Sequence, residues 1–113
     1  MCSVSGISSG ISVRELSILL WVKPVKPPSD VEGWYLQRPG VTQMQPDGSW
    51  LGEIQVGNAA YPPHEGDIID LGVSVVDNQT KRQLFNTQGA IVRDQPVGIS
   101  STIVPGVMIT LQR

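Results

Sequence analysis

The chain contains almost none of the residues that build disulfide frameworks, metal centres and histidine-based catalytic sites. Its 113 residues include one cysteine, Cys2, and one histidine, His64. A single cysteine excludes an intramolecular disulfide and a thiolate cluster. Zinc needs three or four histidine, cysteine or acidic ligands brought together, and two lone residues far apart in the chain do not supply them. The sequence therefore predicts no metal site and no cofactor.

The sequence also has no run of lysine or arginine and no long apolar stretch. Its formal net charge is -2 at pH 7, so it offers no basic surface to nucleic acid or to an anionic membrane. The apolar run at residues 18–22 is far too short to cross a bilayer. Residues 1–12 lack the basic start and apolar centre of a signal peptide. We expect no nucleic-acid binding, no membrane insertion and a cytoplasmic location, for a whole protein or for a domain cut from a longer chain.

Catalytic patterns are scarce in the same way. A serine hydrolase would need His64 as its base, but no G-x-S-x-G elbow accompanies it. The best candidates for the paired carboxylates of a glycosidase, Glu53, Asp67 and Asp70, belong to a scattered set of acids. We therefore predict that the chain is not an enzyme, with a small hydrolase as the weakest alternative. Calcium could be bound by turn acids such as Asp47 and Asp67, but a structural role in the turns is favoured for these acids.

Glycine, proline and alternating apolar residues make up the positive signal. Nine prolines and twelve glycines suit many short strands joined by turns. Period-two alternation at residues 50–56, 69–75 and 107–111 predicts strands with one buried face. In the first two segments the predicted buried faces are Trp50, Gly52, Ile54 and Val56, and Ile69, Leu71, Val73 and Val75.

Local signals place the turns and the central strand. The Pro-Asp-Gly-Ser sequence at residues 46–49 predicts a tight hairpin turn. Residues 16–22 are almost continuously apolar, which favours a strand over a helix and predicts that both its faces are covered. The Pro-Gly pair at 105–106 is expected to turn a strand at 99–104 into another at 107–112.

These elements together predict an all-β fold, an antiparallel β-sandwich of about 7–8 short strands. One short helix is expected near residues 79–86. In this interpretation residues 13–113 form a single domain, and residues 1–12 form a flexible N-terminal segment or an edge strand.

Several short motifs occur in a recognisable order. They are W-V-K-P at 21–24, W-Y-L-Q at 34–37, D-G-S-W at 47–50, Gly57, Gly66 and the alternating strand at 68–76. This order resembles small immunoglobulin-like β-sandwich modules of bacterial multidomain proteins, whose pattern reads W-V-x-P, W-[WY]-V-Q, D-G-[ST]-W. Leu36 stands where the pattern has valine, and residues 79–85 have no counterpart in it. The resemblance implies an immunoglobulin-like sandwich with an accessory or binding role and no catalytic residues.

Exposed aromatic rings would support binding of a peptide or a carbohydrate. Trp34 and Trp50 fit the core pattern, which leaves Trp21, Tyr35 and Tyr61 for a surface. The candidate partner-binding residues are Trp21, Tyr35, Gln37, Tyr61 and His64. We expect an interaction or accessory module that contacts a protein partner or a neighbouring domain, with a carbohydrate-binding module as the alternative. A flat row of exposed rings would favour sugar, whereas an apolar patch with one open edge would favour protein.

Overall fold

The predicted all-β fold with one short helix is confirmed. The computed structural model describes residues 2–7, 16–26, 33–54, 64–89 and 91–108. The strands within these ranges are β1 (Cys2–Ile7), β2 (Leu16–Lys26), β3 (Trp34–Leu36), β4 (Gly40–Met44), β5 (Ser49–Ile54), β6 (Ile68–Asp77), β7 (Val92–Arg93) and β8 (Ser100–Met108), and the helix is α1 (Asn78–Phe85).

The strands form two antiparallel sheets. The three-stranded sheet has the order β1-β5-β4, and the five-stranded sheet has the order β7-β3-β2-β6-β8. The long pair β2 and β6 forms the centre of the larger sheet, in register from Leu16 opposite Asp77 to Pro24 opposite Ile69, after which the register shifts and Lys26 lies opposite Ile68. In constant-type immunoglobulin domains strand B lies in the sheet with A, E and D. Here the second strand, β2, lies instead between β3 and β6.

The two sheets enclose an inter-sheet core. Its buried residues are Ile18, Leu20, Val22, Trp50, Ile54, Ile69 and Leu71. The face predicted for β5 therefore points inward over its described residues, since Trp50 and Ile54 are buried while Leu51 is exposed. Gln55 and Val56, at the end of the predicted alternation, lie outside the described residues. The Trp50 ring lies over Gly6 of β1, where any side chain would overlap it.

A second core lies on the opposite face of the five-stranded sheet. Its buried residues are Leu19, Trp21, Trp34, Leu36, Val76 and Ile91, and we call it the helix-side core because Leu84 and Phe85 of α1 pack against it. The prediction that both faces of β2 are covered is thus confirmed. For β6 the prediction of a single buried face was wrong. On the predicted face Ile69 and Leu71 are buried while Val73 and Val75 are half-buried, and on the opposite face Gly72, Ser74 and Val76 are buried, since α1 and the chain after it cover that face.

The hairpin turn at residues 46–49 is confirmed. The Gly48 N–H donates to the Gln45 carbonyl at 3.0 Å, and the Gln45 N–H donates to the Ser49 carbonyl at 2.8 Å. Gly48 has a φ of 94°, which glycine adopts without strain. The Asp47 carboxylate accepts from the Ser49 hydroxyl at 2.7 Å and from the Ser49 N–H at 2.9 Å. These two hydrogen bonds hold the pKa of Asp47 below its ordinary value.

Helix α1 begins immediately after β6 and is tied down at both ends. The Asp77 carboxylate caps it by accepting from the Thr80 N–H at 2.6 Å, which lowers the pKa of Asp77. Beyond its C-terminus, the Arg38 guanidinium donates to the carbonyls of Thr87 and Gly89. No helix in the described ranges has the length and apolar character that a membrane span requires.

Strand β8 corrects the prediction of two strands joined by a turn. The chain runs through Pro105 and Gly106 as a single strand, which pairs with β6 through a register shift opposite Asp70. A β-bulge places two residues opposite one and keeps the strand direction, so a Pro-Gly pair need not reverse the chain. The bulge is held by the Gly106 N–H, which donates to the Asp70 carboxylate at 2.9 Å.

Trp50→Ala should destabilise the fold by about 3–5 kcal/mol, because it empties a large volume between the sheets. Leu51→Ala, on the exposed face of the same strand, should cost about 1 kcal/mol or less. Urea denaturation of both variants measures the difference, and equal losses would contradict the assignment of the two faces.

Gly48→Ala should lower the free energy of unfolding by about 1 kcal/mol through backbone strain at positive φ. Gly48→Asn should lose less, because asparagine tolerates left-handed backbone better than alanine does. Thermal unfolding of the two variants distinguishes them. An alanine variant as stable as the natural chain would show that the turn does not need its positive φ.

Candidate functional site: the edge of strand β8

The most distinctive surface of the molecule is the outer edge of the five-stranded sheet. Strand β8 ends the sheet order and has one described neighbour, β6. An edge strand directs every second N–H and C=O away from its sheet, where they can pair with another strand. Edge pairing is one of the recurring modes by which proteins recognise extended segments.

The same strand exposes apolar side chains that a lone domain would ordinarily bury. Ile99, just before it, is 76% exposed, Ile103 is 49% exposed, Val104 is 44% exposed and Met108 is 64% exposed. These four residues and the backbone of Ser100–Met108 define what we call the β8 edge. Ile103 and Val104 are successive residues of the strand and point to opposite faces of the sheet, so apolar side chains flank the backbone edge on both faces. The edge therefore combines apolar area with a backbone template.

The β8 edge has a proline and a bulge in its C-terminal part, but it lacks the charged residues that keep edge strands apart. Natural edges are commonly protected by lysine, by proline or by a bulge. From Gln95 to Gln112 the sequence contains no charged residue. Pro105 and the bulge interrupt the C-terminal part of β8. The remaining residues, 99–104, contain neither charge nor proline, and we call them the upper half of the edge. This upper half is the part best suited to accept another strand.

The chain after α1 positions this edge. Pro96 lies close to Gly72 of β6, and the Ser74 hydroxyl donates to the Val97 carbonyl at 2.7 Å. The Ile99 N–H then donates to the Val75 carbonyl at 2.7 Å and brings the chain alongside β6. The upper half of the edge is therefore anchored through the central strand pair.

Trp21, one of the predicted partner-binding residues, is a core residue instead. Its side chain is 0% exposed, and its indole N–H donates to the Ser74 hydroxyl at 2.9 Å. Strand β2 has both faces covered, so no residue in its central part can present a ring to a partner. Trp21 therefore belongs to the helix-side core and offers no surface.

Three of the other predicted residues, Tyr35, Gln37 and His64, lie within the described part of the chain. Gln37 is buried, and its amide donates to the Tyr35 carbonyl at 3.3 Å. Tyr35 is half-buried on β3. His64 is exposed in a turn, and its backbone N–H donates to the Asp67 carboxylate at 2.8 Å. Tyr61 lies outside the described residues.

The described part of the chain contains one groove near helix α1. The groove, of about 180 Å³, lies between the starts of β2 and α1 and strand β4, lined by Leu16, Ser17, Ile18, Val41, Gln43, Met44 and Lys81. Ligand pockets for small molecules are usually 300–1,000 Å³, so this groove is small for such a role. The described residues contain no group of three or more histidine, cysteine, aspartate or glutamate side chains placed to hold a metal ion.

In comparisons with known proteins, no family model, curated protein or solved structure matches the chain. The resemblance to immunoglobulin-like accessory modules therefore stays a prediction.

The β8 edge is the feature that sequence reasoning missed. The sequence predicts a turn at 105–106 between strands at 99–104 and 107–112, whereas the structure has one strand that ends at Met108. Residues 109–112 of the second predicted strand lie outside the described residues. The usable signal was the stretch without charge from Gln95 to Gln112, because an edge strand in a monomer ordinarily carries protective charges.

Ser74→Ala should destabilise the fold by about 1–3 kcal/mol, because it leaves the buried Trp21 N–H and the Val97 carbonyl without their partner. Ser101→Ala is the matched control: Ser101 lies directly opposite Ser74 on β8 and is exposed. Urea denaturation should separate the two variants. Equal stabilities would show that the Trp21–Ser74 hydrogen bond contributes nothing to the helix-side core.

Proposed function

We propose that this chain is a non-catalytic interaction module that binds a protein partner or a neighbouring domain through the β8 edge. The observation that carries the proposal is the combination on one strand of an outer backbone edge, exposed Ile103 and Val104, and no charge. A partner strand would add main-chain hydrogen bonds along residues 99–104. Pockets beside the exposed side chains would then supply specificity.

The distribution of aromatic residues supports a protein partner over a carbohydrate. Rings that stack on sugars must be exposed, but Trp21, Trp34 and Trp50 are 0%, 5% and 7% exposed. The described tyrosine, Tyr35, and the phenylalanine, Phe85, are half-buried. An apolar strand edge fits a protein segment better than it fits a polar sugar.

The sequence resemblance gives this proposal its biological setting. We propose an accessory role of the kind expected for immunoglobulin-like modules in bacterial multidomain proteins, in the cytoplasm. In that setting the partner belongs to the same assembly, and this chain supplies contacts rather than chemistry.

Site-specific photo-crosslinking in cells of the source organism tests the proposal. Ile103 is replaced by benzoylphenylalanine, which on irradiation bonds covalently to whatever lies against it. A second variant carries the same group at Leu51, which is 39% exposed on the middle strand of the other sheet. We expect a discrete protein adduct from position 103, identified by mass spectrometry, and little or none from position 51.

Two results would contradict the proposed function. The first is the absence of any protein adduct at position 103 when the variant is folded and expressed. The second is the same set of adducts from both positions, which would indicate random collision rather than a binding edge.

A further inference from the structure

We infer that the occupant of the β8 edge is β8 of a second copy of this chain, paired antiparallel about a two-fold axis. This inference rests on the proposed function and deepens it by naming the partner. The pairing would continue the five-stranded sheet of one copy into that of the other. Such an interface is isologous, so it closes on itself and gives a dimer rather than a fibre.

The absence of charge permits this occupant and disfavours a charged partner. An antiparallel pair of identical strands places similar parts of the two sequences opposite each other, and like charges directly opposite are destabilising. Because residues 95–112 carry no charge, two copies can approach without this penalty. A charged partner would find no complementary charge along the edge.

The placement of side chains favours a register centred on Ile103. Ile103 lies opposite Gly72 in the β6 pairing, and Val104 lies opposite Leu71, so the two side chains point to opposite faces of the sheet. A two-fold axis through Ile103 sets it against Ile103 of the second copy on one face. On the other face it sets Val104 against Thr102 of that copy. Both are pairs of β-branched residues, which stabilise neighbouring strands.

The expected dimer is weak. The upper half of β8 is short, and stable interfaces usually bury about 1,200 Å² or more in total. The bulge at Pro105 and Gly106 limits how far the pairing can extend. Association should therefore depend on protein concentration and should be sensitive to one added charge.

Sedimentation equilibrium over a series of protein concentrations tests the inference. The natural chain should show a reversible monomer–dimer equilibrium. Ile103→Lys should raise the dissociation constant by about tenfold or more, because it sets two positive charges opposite each other at the axis. Leu51→Lys adds the same charge at an exposed position away from any sheet edge and should leave the equilibrium unchanged.

Mixing two variants of opposite charge at position 103 distinguishes a loss of pairing from a loss of folding. Ile103→Glu alone should also weaken the dimer, while an equimolar mixture of Ile103→Lys and Ile103→Glu should associate about tenfold more tightly than either variant alone, since opposite charges then face each other. A mixture that stays as weak as its components would overturn the inference.

Strand β1, another edge strand without charged residues, provides the competing outcome. Ile7 on β1 is 83% exposed. If Ile7→Lys abolishes the dimer and Ile103→Lys does not, the β8 assignment is wrong. A chain that remains monomeric at all concentrations would exclude a second copy as the occupant. Crosslinking of position 103 to a different protein would in that case preserve the proposed function.

Discussion

The burial of β2 on both faces is the constraint on which the rest of the structure depends. From Ile18 to Val22 every side chain is buried, and successive residues alternate between the inter-sheet core and the helix-side core. A strand of this kind needs a cover on each side, since either uncovered face would expose large apolar area. The three-stranded sheet supplies one cover, while α1 and the chain that follows it supply the other.

Strand β6, which pairs with β2 along most of its length, determines how the cover packs on the helix side. Its inter-sheet face carries Ile69 and Leu71, but its opposite face carries Gly72 and Ser74. Gly72 leaves room for Pro96 and for the ring of Trp34, and Ser74 satisfies the indole N–H of Trp21. The small residues of β6 therefore determine how closely the chain before β8 can approach the sheet. Through that approach the helix-side core positions the edge that we propose to bind a partner.

The parts of the fold that could be predicted from the sequence are those decided by local chemistry. In the turn at residues 46–49 the Asp47 side chain supplies the hydrogen-bond acceptor locally. The alternation that begins at Trp50 could be predicted because β5 has a single buried face. The continuous apolar run of β2 likewise predicted a doubly covered strand. That prediction already conflicted with a surface role for Trp21, because a residue in the centre of such a strand has no exposed face.

The features that could not be predicted depend on residues distant in the chain. Pro105 and Gly106 form a bulge because the Asp70 carboxylate accepts the Gly106 N–H, and nothing near residue 105 indicates that partner. The polar residues at alternate positions of β6 suggested a solvated face, since the cover provided by α1 is a matter of tertiary packing. The β8 edge was hidden for the same reason, because its place at the end of the sheet follows from strand order and not from composition.

The pairing of β1 has a practical consequence for where the chain can be shortened. Strand β1 joins the fold through antiparallel pairing of Cys2–Ile7 with β5, and Gly6 lies directly against the Trp50 ring. A recombinant version that starts after residue 7 would leave the backbone edge of β5 without its partner strand. It would also expose the ring of Trp50, the largest side chain of the inter-sheet core. Such a trimmed protein would expose core residues beside the open edge of β5, and its yield and solubility would fall even though no residue of the proposed binding edge had been removed.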